Sequence, residues 1–95
     1  MKKIEIIISQ AIEEDLLKML EARNLAGFYT KTGGVTGCGN TSPKMGDPVW
    51  PQLNSRFMFV ADNDKVESFK KVVSLLRNRY PDDGVFAVVT NADVF

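Results

Sequence analysis

Arg56-Phe57-Met58-Phe59-Val60-Ala61 runs directly into Asp62-Asn63-Asp64, and Val66, Phe69, Val73 and Leu76 follow. The first six residues are nearly continuous in apolar character, which is the pattern of a buried strand. The four later residues recur at i, i+3, i+7 and i+10 and form one apolar stripe of a helix, with Val72 beside it. The acidic triplet between them suits a helix start. Asp64 and Glu67 have capping-box spacing, with Asp in place of the usual Ser or Thr. The triplet also resembles the opening of a calcium loop, but Val66 and Glu67 stand where such a loop continues with a ligand and Gly, so the helix cap is the better reading. Lys70, Lys71, Arg77 and Arg79 load the C-terminal half of this helix.

The same strand-helix order appears upstream. Residues 3–9, with Ile4, Ile6, Ile7 and Ile8, predict a short buried strand. Ser9 is placed to cap a helix over about 11–23. Glu13, Glu14 and Asp15 fall in its first turn, where the helix dipole favours negative charge. Ile12, Leu16, Leu17 and Leu20 repeat at helical spacing, and Asn24 and Gly27 end the helix. Residues 27–36 predict a second strand, weakened and bulged at Gly33-Gly34. Downstream, Pro81 to Gly84 predicts a turn and Val85 to Thr90 a fourth strand.

The predicted order is therefore β-α-β twice: an α+β, ferredoxin-like βαββαβ fold. Its antiparallel four-stranded sheet would carry both helices on one face. Strands this apolar would leave an apolar open face suited to oligomerisation. The whole chain, 1–95, forms a single domain on this reading.

One long segment, about 37–54, separates the second and third strands. Connections in compact domains are usually about 4–6 residues, and much longer loops tend to carry function. This one opens with Gly37-Cys38-Gly39-Asn40-Thr41 and contains Pro43, Pro48 and Pro51. The Gly-x-Gly step permits a tight turn whose exposed N–H groups could cradle a phosphate; a flexible loop entrance is the ordinary alternative. No helix follows these glycines, so neither a Walker nor a Rossmann pattern is present. Trp50, the single tryptophan, lies between Val49 and Pro51. It suits an anchor for a partner protein, or a residue folded back over the domain's own core.

Composition narrows the function classes. The chain has 95 residues, 44% hydrophobic and 25% charged, with a formal net charge of zero. Such a balance gives no electrostatic footprint for nucleic acid. No apolar run is long enough to span or insert into a membrane. Cys38 is the only cysteine, and no histidine is present. A single cysteine cannot staple the chain internally, which makes a cytoplasmic location the expectation. Without histidine the usual general base and the commonest metal ligand are missing, and no nucleophile-base pair is visible. The chain reads as a non-enzyme. Arg56, Arg77 and Arg79 are candidate contacts for a phosphate or carboxylate.

Across nearly its whole length the sequence resembles the PII signal-transduction family (nitrogen regulatory protein P-II and relatives). The resemblance runs through Lys3-Ile4-Glu5-Ile6-Ile7, Val35-Thr36-Gly37-Cys38-Gly39 and the loop after it. It continues in Arg56 to Ala61, Lys65 to Arg77, and Asp83-Gly84-Val85-Phe86. It implies a homotrimer that binds a small effector between subunits, with ATP, ADP, AMP or cyclic AMP as candidates. The long loop would correspond to the T-loop, which regulates a membrane transporter or an enzyme. The Pro81-to-Gly84 turn would correspond to the B-loop. The implied ligand-binding residues are Gly37, Cys38, Gly39, Asn40, Thr41 and Arg56, with Asp83, Gly84 and Val85 from the neighbouring subunit's turn; Trp50 would meet the partner. Asn40 and Thr41 stand where the family usually has a basic residue and Gln. Asp82, Asp83 and Val85 stand where it has glycines and a Lys that neutralises phosphate, so a polyphosphate would be repelled. The loop is shorter than usual and contains no tyrosine for nucleotidylation. A second reading is a metal-binding or metal-responsive trimer using Cys38 with Asp82 and Asp83.

Overall fold

The computed structural model describes residues 1–39, 43–48 and 52–95. Strand β1 spans Lys2–Ser9 and a 3-10 turn, Gln10–Ile12, leads into helix α1, Glu13–Glu21. Strand β2 is Thr30–Val35 and β3 is Asn54–Ala61. A second 3-10 turn, Asn63–Lys65, precedes helix α2, Val66–Arg79, and β4 is Val85–Asn91. The strands form one sheet in the order β2-β3-β1-β4, with every neighbouring pair antiparallel. Each β-α-β unit thus joins two parallel strands with a strand of the other unit between them, which is the split βαβ arrangement predicted.

Alternation along β1 decides which side is the core. Ile4, Ile6 and Ile8 are buried on one face, joined by Phe57 and Phe59 of β3. Leu16 and Leu20 of α1 and Phe69, Val72, Val73 and Leu76 of α2 pack onto that same face. The ring centroids of Phe59 and Phe69 lie 5.1 Å apart in a tilted contact, linking sheet to helix.

Several local expectations shift. Ser9 does not cap a helix: it is buried, paired with Asn54 as the last residue of β1, and makes no side-chain cap hydrogen bond. Its N–H donates instead to the Gly84 carbonyl at 3.1 Å. The capping box at Asp64 and Glu67 is also absent. The chain turns two residues earlier, with Asp62 extended at φ −62° and ψ 152° and its carbonyl accepting from Lys65 N–H at 3.0 Å. Glu67 faces Lys70 at 3.5 Å. Strand β2 begins at Thr30 rather than 27, and β3 begins at Asn54 rather than 56, so the loop covers 36–53. The register of β2 on β3 shifts between Thr32 and Val35, where Gly34 adopts φ +66°, as the Gly-Gly pair predicts.

The end of α1 follows from one residue. Asn24 has φ 57°; its N–H donates to Glu21 and the N–H of Leu25 to Leu20. This is a Schellman closure with Asn in the left-handed position, and buried Leu25 and Leu20 form its apolar contact. Across the helix pair, the Tyr80 hydroxyl donates to Asp15 of α1. That bond raises the Tyr80 pKa above its ordinary 10.0.

The open face is less apolar than the strands suggest. Ile7, Met58, Val60, Phe86 and Val88 lie there, but around a charged centre. Glu5 takes Arg56 at 2.8 Å and Lys3 at 3.2 Å. The alternation that buries Ile4, Ile6 and Ile8 puts Lys3 and Glu5 on the other side. The hydrogen bond from Arg56, then that from Lys3, holds Glu5 below its ordinary pKa of 4.5.

Candidate functional site

The sheet topology brings the end of β1, the end of β2, the start of β3 and the start of β4 to one edge of the molecule. The long loop leaves from that edge, and the turn after α2 returns to it. Gly37 and Lys44 close the loop's first part with a two-way bridge, each N–H donating to the other's carbonyl at 2.7 Å. Further on, Gly46 N–H donates to the Gln52 carbonyl at 3.3 Å. Gly46 has φ +67°, and a Cβ there would lie 2.8 Å from Leu53 Cδ2. The Leu53 carbonyl in turn accepts the Gln10 N–H at 3.1 Å, tying the loop's return to the end of β1.

A cavity of about 680 Å³ opens at this edge. Loop residues Thr36, Gly37, Cys38, Gly39 and Lys44 form one wall. Asp83, Gly84, Val85 and Phe86 form the opposite one, and Ile7, Asn54 and Arg77 complete it. Its size is within the usual small-molecule range of roughly 300–1,000 Å³. The loop base and the turn therefore line one cavity within a single chain. The split βαβ order places the end of β2 and the start of β4 at the same sheet edge, so one chain supplies both walls.

Arg77 holds the second wall in place. Its Nε and Nη2 both donate to the Val85 carbonyl, at 3.1 and 3.0 Å. Lys44 is almost fully buried at 4% exposure, though it lies on a loop. Cys38 is an exposed free thiol on the cavity wall. The Gly37 N–H is already taken by Lys44, so the expected phosphate cradle loses that donor.

Of the residues singled out from sequence, Gly37, Cys38, Gly39, Asp83, Gly84 and Val85 come together around the cavity. Arg56 does not: it faces the open side of the sheet, bound to Glu5. Strand alternation decides this, because Phe57 beside it occupies the core. Asn40, Thr41 and Trp50 lie outside the described residues. Lys44, Asn54 and Ile7 were missed. They are spread along the chain with no motif, and only the return of the loop onto the sheet collects them. Among the described residues, no group of three or more Cys, Asp, Glu or His gathers to hold a metal ion. Asp82 is exposed and not part of the cavity wall, so it does not join Cys38 and Asp83 there.

An ion pair away from the cavity wall braces β2. Lys31 Nζ is 3.0 Å from Glu13 Oε1, joining β2 to α1. Burial pushes Glu13 up, but the neighbouring Ser55 hydroxyl and the Lys31 ammonium outweigh it and hold the pKa below 4.5. Glu13 Oε2 and Ser55 Oγ are both buried.

The split βαβ fold of this chain is similar to that of solved PII-like proteins. The nitrogen regulatory PII-like protein CPII from Thiomonas intermedia K12, bound to ADP, AMP and bicarbonate, superposes with a TM-score of 0.71 at 20% identity. That match covers 94% of this chain and 84% of CPII. A structure of the same protein with ADP, AMP and acetate gives 0.68 at 19% identity, over 98% and 88% of the two chains. A protein described as PII-like from Thermus thermophilus gives 0.61 at 24% identity, over 96% and 85%. No protein-family model matches the sequence, and no curated protein does. The fold is thus the one these PII-like proteins share. Among the described residues no helix is long and apolar enough to cross a membrane.

Proposed function

We propose that this chain is a divergent PII-like regulator that binds an adenine nucleotide at the loop-base cavity and signals through the long loop. The observation that carries this reading is the meeting of Gly37, Cys38 and Gly39 with Asp83, Gly84 and Val85 around one cavity, at the root of the chain's longest connection. The ADP and AMP carried by CPII, which has the same fold, support an adenine nucleotide as occupant. The protein acts as a homotrimer in the cytoplasm, not as an enzyme, and Asn40 and Thr41 extend the ligand-contacting segment. Ligand binding shifts the loop between two states of different partner affinity, and Trp50 meets the partner, a transporter or an enzyme.

Isothermal titration with ATP, ADP, AMP and cyclic AMP, with the oligomeric mass measured in parallel, tests this. The expected result is micromolar binding at about one site per subunit of a trimer. A Lys44→Gln variant binds more weakly, because it removes a cation from the cavity wall. An intact protein that binds none of the four nucleotides would refute the reading.

A further inference from the structure

A separate groove of about 380 Å³ lies at the β2 edge of the sheet, lined by Phe28, Tyr29, Thr30, Met58 and Val60. Thr30 pairs with Met58 across the β2–β3 register, so the groove opens on the face away from the helices. The Tyr29 ring packs against the core, its centroid 5.7 Å from that of Phe57 and 5.8 Å from that of Phe59. Phe28 at the rim is 91% exposed. A large aromatic held in water beside other apolar side chains suits a contact surface. Its inner border carries charge. Lys3 pairs with Val60 in the β1–β3 register, and Lys3 and Arg56 share the one carboxylate of Glu5. That cluster keeps one surplus positive charge, so the groove fits a segment with a carboxylate followed by an apolar group.

The residues after β4 have that chemistry. Asp93, Val94 and Phe95 are all exposed. In an extended segment, residues two apart point to the same side, so Asp93 and Phe95 present themselves together about 7 Å apart. One and a half strand spacings, also about 7 Å, separate Lys3 on β1 from the middle of the groove between β3 and β2. The ends of β3 and β4 both pair with Lys2, so the segment leaves the sheet at the end where Val60 lies. Phe95 is fully exposed and does not fill its own chain's groove. With β1 between them, β4 stands about 10 Å from β3.

We propose that Asp93 to Phe95 of one copy docks in the Phe28 groove of a second copy, with Asp93 facing Lys3 and Phe95 entering between Phe28 and Met58. Segment and groove are different surfaces on opposite edges of the sheet, so the contact runs head to tail and can close a ring. The proposal rests on the homotrimer of the reading above and on nothing about its nucleotide.

The test uses the full chain in a Cys38→Ser background. Phe28→Cys and Phe95→Cys chains, one carrying a tag to distinguish its mass, are co-expressed and mildly oxidised. The expected product is a disulfide dimer of unlike chains, with none when either variant is oxidised alone. In parallel, light scattering across a dilution series is expected to show Phe95→Ser dissociating at a concentration about tenfold or more higher than the wild type, since a buried ring is lost. A trimer that yields no unlike-chain disulfide, or whose dissociation Phe95→Ser does not move, overturns the docking and leaves the trimer intact. Disulfides between like chains overturn the head-to-tail contact. A wild type that is monomeric throughout overturns the trimer and the docking together.

Discussion

At the scale of single residues, one position in the loop and one on α1 lend themselves to direct test. Gly46 adopts φ +67° against Leu53. An L-residue there pays for a left-handed backbone and must displace the end of the Leu53 side chain. Gly46→Ala is expected to lower stability by about 1–2 kcal/mol in urea unfolding, whereas Gly39→Ala, with open space around it, stays within about 0.5 kcal/mol. Glu13 makes the second case, through pH. Its folded pKa lies below the ordinary 4.5, so its contribution is complete above that value and is lost as pH falls through the lowered pKa. Glu5 behaves alike, held down by Arg56. Thermal melts are expected to be flat from neutral pH to about 5 and to fall below it, with a shallower acid limb in Glu13→Gln. An identical acid limb in the variant would show that Lys31 and Ser55 do not stabilise the carboxylate. Arg56 illustrates what residue type alone cannot say. A guanidinium near a predicted loop looks like a ligand contact, but its partner is Glu5 on the neighbouring strand.

At the scale of elements, the helices were legible and their ends were less so. The apolar stripes of α1 and α2 are those the spacing predicts, because one face of each must meet the sheet. Asn24 was recognisable as a stop signal, since Asn tolerates the left-handed conformation the closure needs. Asn24→Ala is therefore expected to cost about 1 kcal/mol in denaturant unfolding, while Asn24→Gly leaves stability unchanged or slightly higher. If both substitutions have the same effect, backbone strain at this position is not what ends the helix. The helix starts went otherwise. Both caps inferred from Ser9 and from Asp64 with Glu67 gave way to 3-10 turns. Capping patterns are local, and here tertiary demands on the backbone prevailed: Ser9 is held in the sheet by Asn54 and Gly84.

At the scale of the whole molecule, the open face of the sheet is where the proposed trimer can be tested. Phe86 is 58% exposed in the single chain and Val88 38%, beside the Lys3–Glu5–Arg56 cluster. If the proposed trimer buries this face, Val88→Glu places a second carboxylate opposite Glu5 in the β1–β4 register and breaks the assembly. Light scattering after size exclusion is expected to read a trimer for the wild type and a monomer for the variant. A variant of unchanged mass would mean that subunits meet elsewhere. The sequence by itself determined the βαββαβ order, the apolar stripes of the helices, and the one connection much longer than the rest. These follow from periodicity and chain connectivity, which are local properties of the chain. Only the tertiary structure decided the cavity. Lys44 and Asn54 reach it because the loop bridges back at Gly37 and re-enters the sheet beside β1. Arg77 reaches it because α2 lays its last turns against the start of β4. Such meetings between residues far apart in the chain depend on how elements pack in space, and no spacing along the sequence encodes them.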